Sequence, residues 1–132
     1  MAQRQGSSST NGGRIDGSLG QAVASTAADF ALGAGWGSTG SAVLATGSND
    51  QRGTLTLTAS GSSYAQATAT VVHTFADGAW ASAPFAMVNV TSNSAIDEGH
   101  VVVTTTTTAA TWTFSVLPVS TKIYIFRYLY IA

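Results

Sequence analysis

The sequence predicts an all-β protein, an antiparallel β-sandwich of about seven strands, jelly-roll-like, preceded by an extended N-terminal arm. Three observations carry this. Short runs rich in Val, Ile, Thr and aromatic residues recur along the chain, the composition that fits a pleated surface. Clusters of Gly, Ser, Asn, Asp or Pro separate them at near-regular intervals, as in sandwiches and jelly rolls. Several runs alternate between bulky and small polar residues, the period of a half-buried strand.

Residues 1–32 read as an arm and linker, and residues 33–132 as the sandwich domain. The first 21 residues are polar and rich in Gly, Ser and Asn, too poor in apolar area to order themselves. Ala22 to Ala28 suits a short helix and Asp29 to Leu32 a short strand. Gly33, Gly35, Gly37 and Gly40 around Trp36 mark a bend, with Trp36 as a packing anchor. The expected strands are then Ala42–Thr46, Thr54–Ala59, Ala65–Phe75, Phe85–Ser92, His100–Thr107, Thr111–Leu117 and Lys122–Ile131. In the second, Leu55 and Leu57 point one way and the threonines the other. In the sixth, Trp112, Phe114 and Val116 share a face. The threonine run 104–108 suits a strand because threonine is β-branched.

The last strand has two bulky faces. Ile123, Ile125, Arg127, Leu129 and Ile131 form one, and Tyr124, Phe126, Tyr128 and Tyr130 the other. Such a strand is either central in its sheet or covered on its second side by another subunit. Four aromatics on one face make a patch that a soluble monomer rarely exposes. They are therefore expected at an oligomer interface together with Arg127, which should meet a carboxylate or a carbonyl cluster of its own or a neighbouring chain.

Composition points the same way. Charged residues make up 8% of the 132, against about 25% in soluble domains. A surface with so few charges is expected to be covered by copies of itself or by neighbours. The five cations, Arg4, Arg14, Arg52, Lys122 and Arg127, are scattered and the net charge is −1, so nucleic acid is not an expected partner. No run reaches the roughly 18 apolar residues that span a bilayer, and no membrane insertion is expected. The polar start, without an apolar stretch, predicts no signal peptide and synthesis in a cytoplasm. Cysteine is absent, which removes disulfides and thiolate chemistry.

Little in the chain suggests catalysis. His73, His100 and the Asp97-Glu98 pair fit no metal-ligand spacing, and Asp97-Glu98-Gly99 reads as a turn. Only six acids exist, with no obvious pair for glycoside hydrolysis. No G-x-S-x-G elbow and no phosphate-binding loop is present. The chain is read as a non-enzyme without a cofactor. Asn49-Asp50-Gln51-Arg52-Gly53 is the one compact charged motif. It reads as a turn stabilised by the Asp50 side chain, with Asp50 and Arg52 as ligand or partner contacts in the functional alternative. Trp80, between a turn and Pro84, is the candidate exposed ring for a sugar or an interface.

Several stretches resemble β-sandwich domains of phage tail-fibre and minor structural proteins. These are Ala34–Val43, Gly47–Thr58, the segment Ala69–Phe85 with its Phe-x-Asp-Gly-x-Trp-x-x-x-Pro-Phe turn, and the closing tyrosine-rich strand. The resemblance spans about residues 33–131. It implies a homotrimer on a virion exterior. The short arm, without a fibre shaft, favours a capsid decoration protein docked on a major capsid protein, with Arg4 and Arg14 anchoring the arm to the particle. The alternative is a tail-fibre or tail-tip module that recognises host glycans.

Overall fold

A computed structural model describes residues 23–62, 69–91 and 100–132. Eight strands occur among them: β1 (Phe30–Leu32), β2 (Ser41–Leu44), β3 (Arg52–Thr58), β4 (Thr70–Thr74), β5 (Phe85–Val90), β6 (Val101–Thr105), β7 (Ala109–Phe114) and β8 (Ile123–Ile131). They form two four-stranded antiparallel sheets, ordered β1-β4-β7-β6 and β2-β3-β8-β5. The expected β-sandwich is what the chain forms. The hairpins β2–β3 and β6–β7 each stay within one sheet, and the other connections cross between sheets.

Alternation decides what faces inward. Leu55 and Leu57 of β3 oppose Phe126 and Tyr124 of β8, while Val71 of β4 opposes Trp112 of β7. All are buried, and with Phe30, Trp36, Phe75, Trp80, Phe114, Tyr128 and Tyr130 they form one core. Threonines take the outward positions of β3 and β7, where the branched side chain favours the strand without needing burial. Trp36 is the expected anchor. It lies in a 3-10 turn, Ala34–Trp36, and meets Phe114 and Tyr124 edge-on at 5.3 and 5.7 Å.

Three boundaries differ from expectation. Phe30–Leu32 pairs with β4 and Phe30 is buried, so the sandwich begins before residue 33 and the short strand foreseen near Leu32 belongs to it. Ala27–Asp29 is a 3-10 turn, in which Asp29 accepts from the Thr26 amide and hydroxyl at 2.7 and 3.0 Å. The threonine run does not stay in one strand. The Thr106 hydroxyl oxygen accepts from the Thr108 and Ala109 amides at 3.2 and 3.1 Å, a side-chain turn that competes with the ladder. It ends β6 at Thr105 and starts β7 at Ala109. The proposed arm, residues 1–21, and the expected strand start at Ala65 lie outside the described residues.

Phe126 sits at the centre of the sandwich with no exposed surface. Phe126→Ala should cost about 3–5 kcal/mol. Urea unfolding followed by tryptophan fluorescence reads this directly; a loss below 1 kcal/mol would contradict the placement of this residue.

Candidate functional site

The residues singled out by sequence separate into an enclosed cluster and an outer face. Tyr124, Phe126, Tyr128 and Tyr130 belong to the first. They are buried within the single chain, which corrects their expected place at an oligomer interface. β8 lies between β3 and β5, and the aromatic side turns toward the opposite sheet. Of the two explanations open for a strand with two bulky faces, central placement is the one realised. The hydroxyls find partners, as buried phenols must. Tyr124 accepts from the Val119 amide at 2.7 Å. Tyr128 donates to the Asn49 carbonyl at 2.8 Å. Tyr130 accepts from Trp112 Nε1 at 2.8 Å and lies 3.3 Å from His73 Nδ1.

Asp50 is enclosed as well, with no exposed surface, and is not available as a ligand contact. It does not make the turn in which it stands. Asn49 does, accepting from the Gln51 and Arg52 amides at 2.9 and 3.1 Å. That frees Asp50 to point into the core. There it accepts from Ser25 Oγ at 3.0 Å and from the Ala76 and Asp77 amides at 2.9 and 2.5 Å. His73 Nε2 stands 3.5 Å from the same carboxylate, too long for a good hydrogen bond. Burial alone would raise the Asp50 pKa. The interactions with His73, the Asp77 and Ala76 amides and Ser25 outweigh it and hold the carboxyl below the usual carboxylate range. Burial above all, with the Asp50 charge contributing, pushes the Tyr128 and Tyr130 phenols far above theirs.

Asp50, His73 and Tyr130 thus stand in a row, and the His73 ring stacks on Phe30 at 4.0 Å. The order resembles a proton relay, but each member is at most 1% exposed, and a group this enclosed does not meet a substrate. What the cluster does is tie together the segments around Ser25, Asp50, His73 and Ala76. Gly53 keeps the approach open: a Cβ there would collide with the Tyr128 hydroxyl and the Ser48 side chain.

Trp80 is 3% exposed and meets Phe75 edge-on at 5.7 Å. The preceding Gly78, at φ +88°, folds the turn so that the ring goes inward; it is a core residue, not an exposed platform. Arg52 and Arg127 are both exposed. Arg127 has no carboxylate partner among the described residues, contrary to the expectation that it would be buried and met. It projects from the outer side of β8, where solvent screens it. His73 and His100 do not come together, and no cluster of metal-ligating side chains occurs among the described residues. Arg4, Arg14, Asp97 and Glu98 lie outside the described residues.

Sequence reasoning missed Phe85 and Met87. They are 83% and 64% exposed, while Ala86, Val88 and Val90 between them turn inward. With Ile131, also exposed, they make an apolar strip along β5 and β8 on the outer face of the β2-β3-β8-β5 sheet, while Val43 and Ile123 are exposed elsewhere on that face. The 85–90 alternation was the available signal, but it sets large residues against small and β-branched ones, and size favours the wrong side. Comparison with known protein families, curated proteins and solved structures finds no match.

Two outcomes test the cluster. The lowered pKa of Asp50 means its contribution is complete above the unfolded carboxyl value, near pH 3.9, and is lost as pH falls through the folded value. Asp50→Asn should lose about 3–5 kcal/mol at neutral pH and show a flatter acid limb in thermal melts from pH 6 to 2. Gln51 is fully buried with neither side-chain amide atom hydrogen-bonded. Gln51→Met should therefore raise stability by about 1 kcal/mol in urea unfolding.

Proposed function

We propose that the chain is a non-enzymatic structural protein of a bacteriophage particle. It acts as a homotrimer on the particle exterior, in the manner of a capsid decoration protein seated on a major capsid protein. The observation that carries self-association is the outer face of the β2-β3-β8-β5 sheet. Phe85 and Met87 stand beside Ile131 and Leu129 in the β5–β8 register, and β5 is an edge strand whose outer side pairs with no strand among the described residues. Contiguous apolar surface of this kind marks a contact surface. Burying it is worth about 25 cal/mol per Å², and an open edge offers backbone pairing in addition. The self-contact is thus assigned to the side of β8 opposite the tyrosines. The low charge of the whole chain supports this reading, and the order of sandwich motifs between residues 33 and 131 supports the particle setting.

The alternative, a tail-fibre or tail-tip module recognising host glycans through Trp80, loses its carrier because that ring is enclosed.

Light scattering on the purified chain should give three times the 13.4 kDa subunit mass. Phe85→Asp combined with Met87→Asp should reduce it to a single subunit, with circular dichroism unchanged because both side chains point outward. A monodisperse single subunit for the wild type would end the assembly reading.

A further inference from the structure

The same outer face carries a charged feature that apolar self-association leaves unused. Arg52 opens β3 and Arg127 lies midway along β8. In the β3–β8 register Arg52 stands opposite Leu129, and Thr54 opposite Arg127. The two arginines therefore occupy diagonal positions on adjacent strands, about 7–8 Å apart at the backbone. β2 ends at Leu44, so beside Arg52–Thr54 the neighbour of β3 is the turn at Ala45–Ser48. Between that turn and the two strands lies a pocket of about 340 Å³. Arg52 and Arg127 line it with Thr46, Ser48, Thr54 and Tyr128. It sits on the β3 side of β8, away from Phe85 and Met87 on β5.

Two of the chain's five cations thus converge on one depression. Neither has an anionic partner among the described residues. Guanidinium groups stay protonated at all ordinary pH values, so the pair is a standing positive field with no anion among the described residues to balance it. An oxyanion placed between them relieves the repulsion, and a carboxylate matches the planar donor fork. The rest of the wall combines the hydroxyl residues Thr46, Ser48, Thr54 and Tyr128 with Ala45, Gly47 and Gly53. Ser48 Oγ accepts from the Thr54 amide at 3.2 Å. The volume is near the lower end for small-ligand sites, about 300 Å³, which suits one sugar ring.

We propose that this pocket binds an acidic saccharide, with the carboxylate between Arg52 and Arg127 and the ring hydroxyls against Thr46, Ser48 and Thr54. The proposal stands apart from the assembly reading, because it rests on the two arginines and not on the apolar surface.

Isothermal titration of the full chain, in whatever oligomeric state it adopts, tests it with glucuronate, galacturonate and N-acetylneuraminate. Glucose and inorganic phosphate serve as controls. At least one acidic sugar should bind saturably with a Kd on the order of 1 mM, and glucose should not. Phosphate should bind about tenfold more weakly, since it lacks the hydroxyl contacts. Arg52→Gln and Arg127→Gln should each weaken the sugar by about tenfold, with thermal midpoints unchanged because both side chains are exposed. Arg127→Lys should restore only part of the loss. Absence of binding by all three acidic sugars, phosphate binding as tight as theirs, or affinity unchanged in Arg127→Gln would each overturn the proposal. Light scattering on the same samples separates the two readings: a single subunit that binds the sugar removes the assembly and keeps the pocket, and an oligomer that does not bind does the reverse.

Discussion

The sandwich depends on placing an aromatic strand in its middle without stranding the hydroxyls of its tyrosines. Tyr124, Tyr128 and Tyr130 bring ring area that two thin sheets need, and with it three hydroxyls that cannot be buried alone. Each is met by a different part of the chain: the amide before β8, the carbonyl of Asn49, and the Trp112–His73 pair. Those partners fix the loops. Asn49 must present its carbonyl to Tyr128, which sets the turn, and the turn in turn delivers Asp50 to Ser25, His73 and the amides at 76 and 77. Packing and polar satisfaction therefore constrain the same few residues.

The arrangement also explains why a chain so poor in charge places a carboxylate in its interior. A buried charge is weak support for stability in general. Here it supplements secondary structure: the residues around Ser25 have only an isolated bridge to Asn49, those at 76 and 77 lie outside the strands, and the carboxylate collects donors from both. Its position near the aromatic rings gives it a low-dielectric surrounding in which each of those hydrogen bonds counts for more. The close packing of the site depends on Gly53, where a methyl group would displace both Ser48 and Tyr128.

What the sequence revealed follows from the range of the forces involved. The alternation at 54–58 and 111–116 is local, and it placed Leu55, Leu57, Trp112 and Phe114 on the inner face. β8 was recognisable as a strand of unusual character, but its sidedness was not. When both faces are apolar, period two says that residues alternate and not which set goes in. The tyrosines were assigned outward because of their bulk, whereas the isoleucine side is the one left partly open. The same ambiguity hid Phe85 and Met87. Asp50 was misjudged for another reason: its donors lie 25 and more residues away, and no local pattern announces them. The threonine run looked uniform, and only the hydrogen bonds of Thr106 distinguish turn from strand.

The strand order has a bearing on how the chain is made. β8 lies between β3 and β5, so this sheet lacks the strand that joins its two sides until residues 123–131 have left the ribosome. Until then β3 has only β2 beside it, β5 has no neighbour in its sheet, and the faces of Leu55 and Leu57 stay uncovered. Two-stranded ribbons are marginal in water, and contacts this distant in sequence form slowly. Nascent chains stalled before Ile123 would therefore be open, adhesive intermediates, and the emergence of β8 would itself be the trigger for closure.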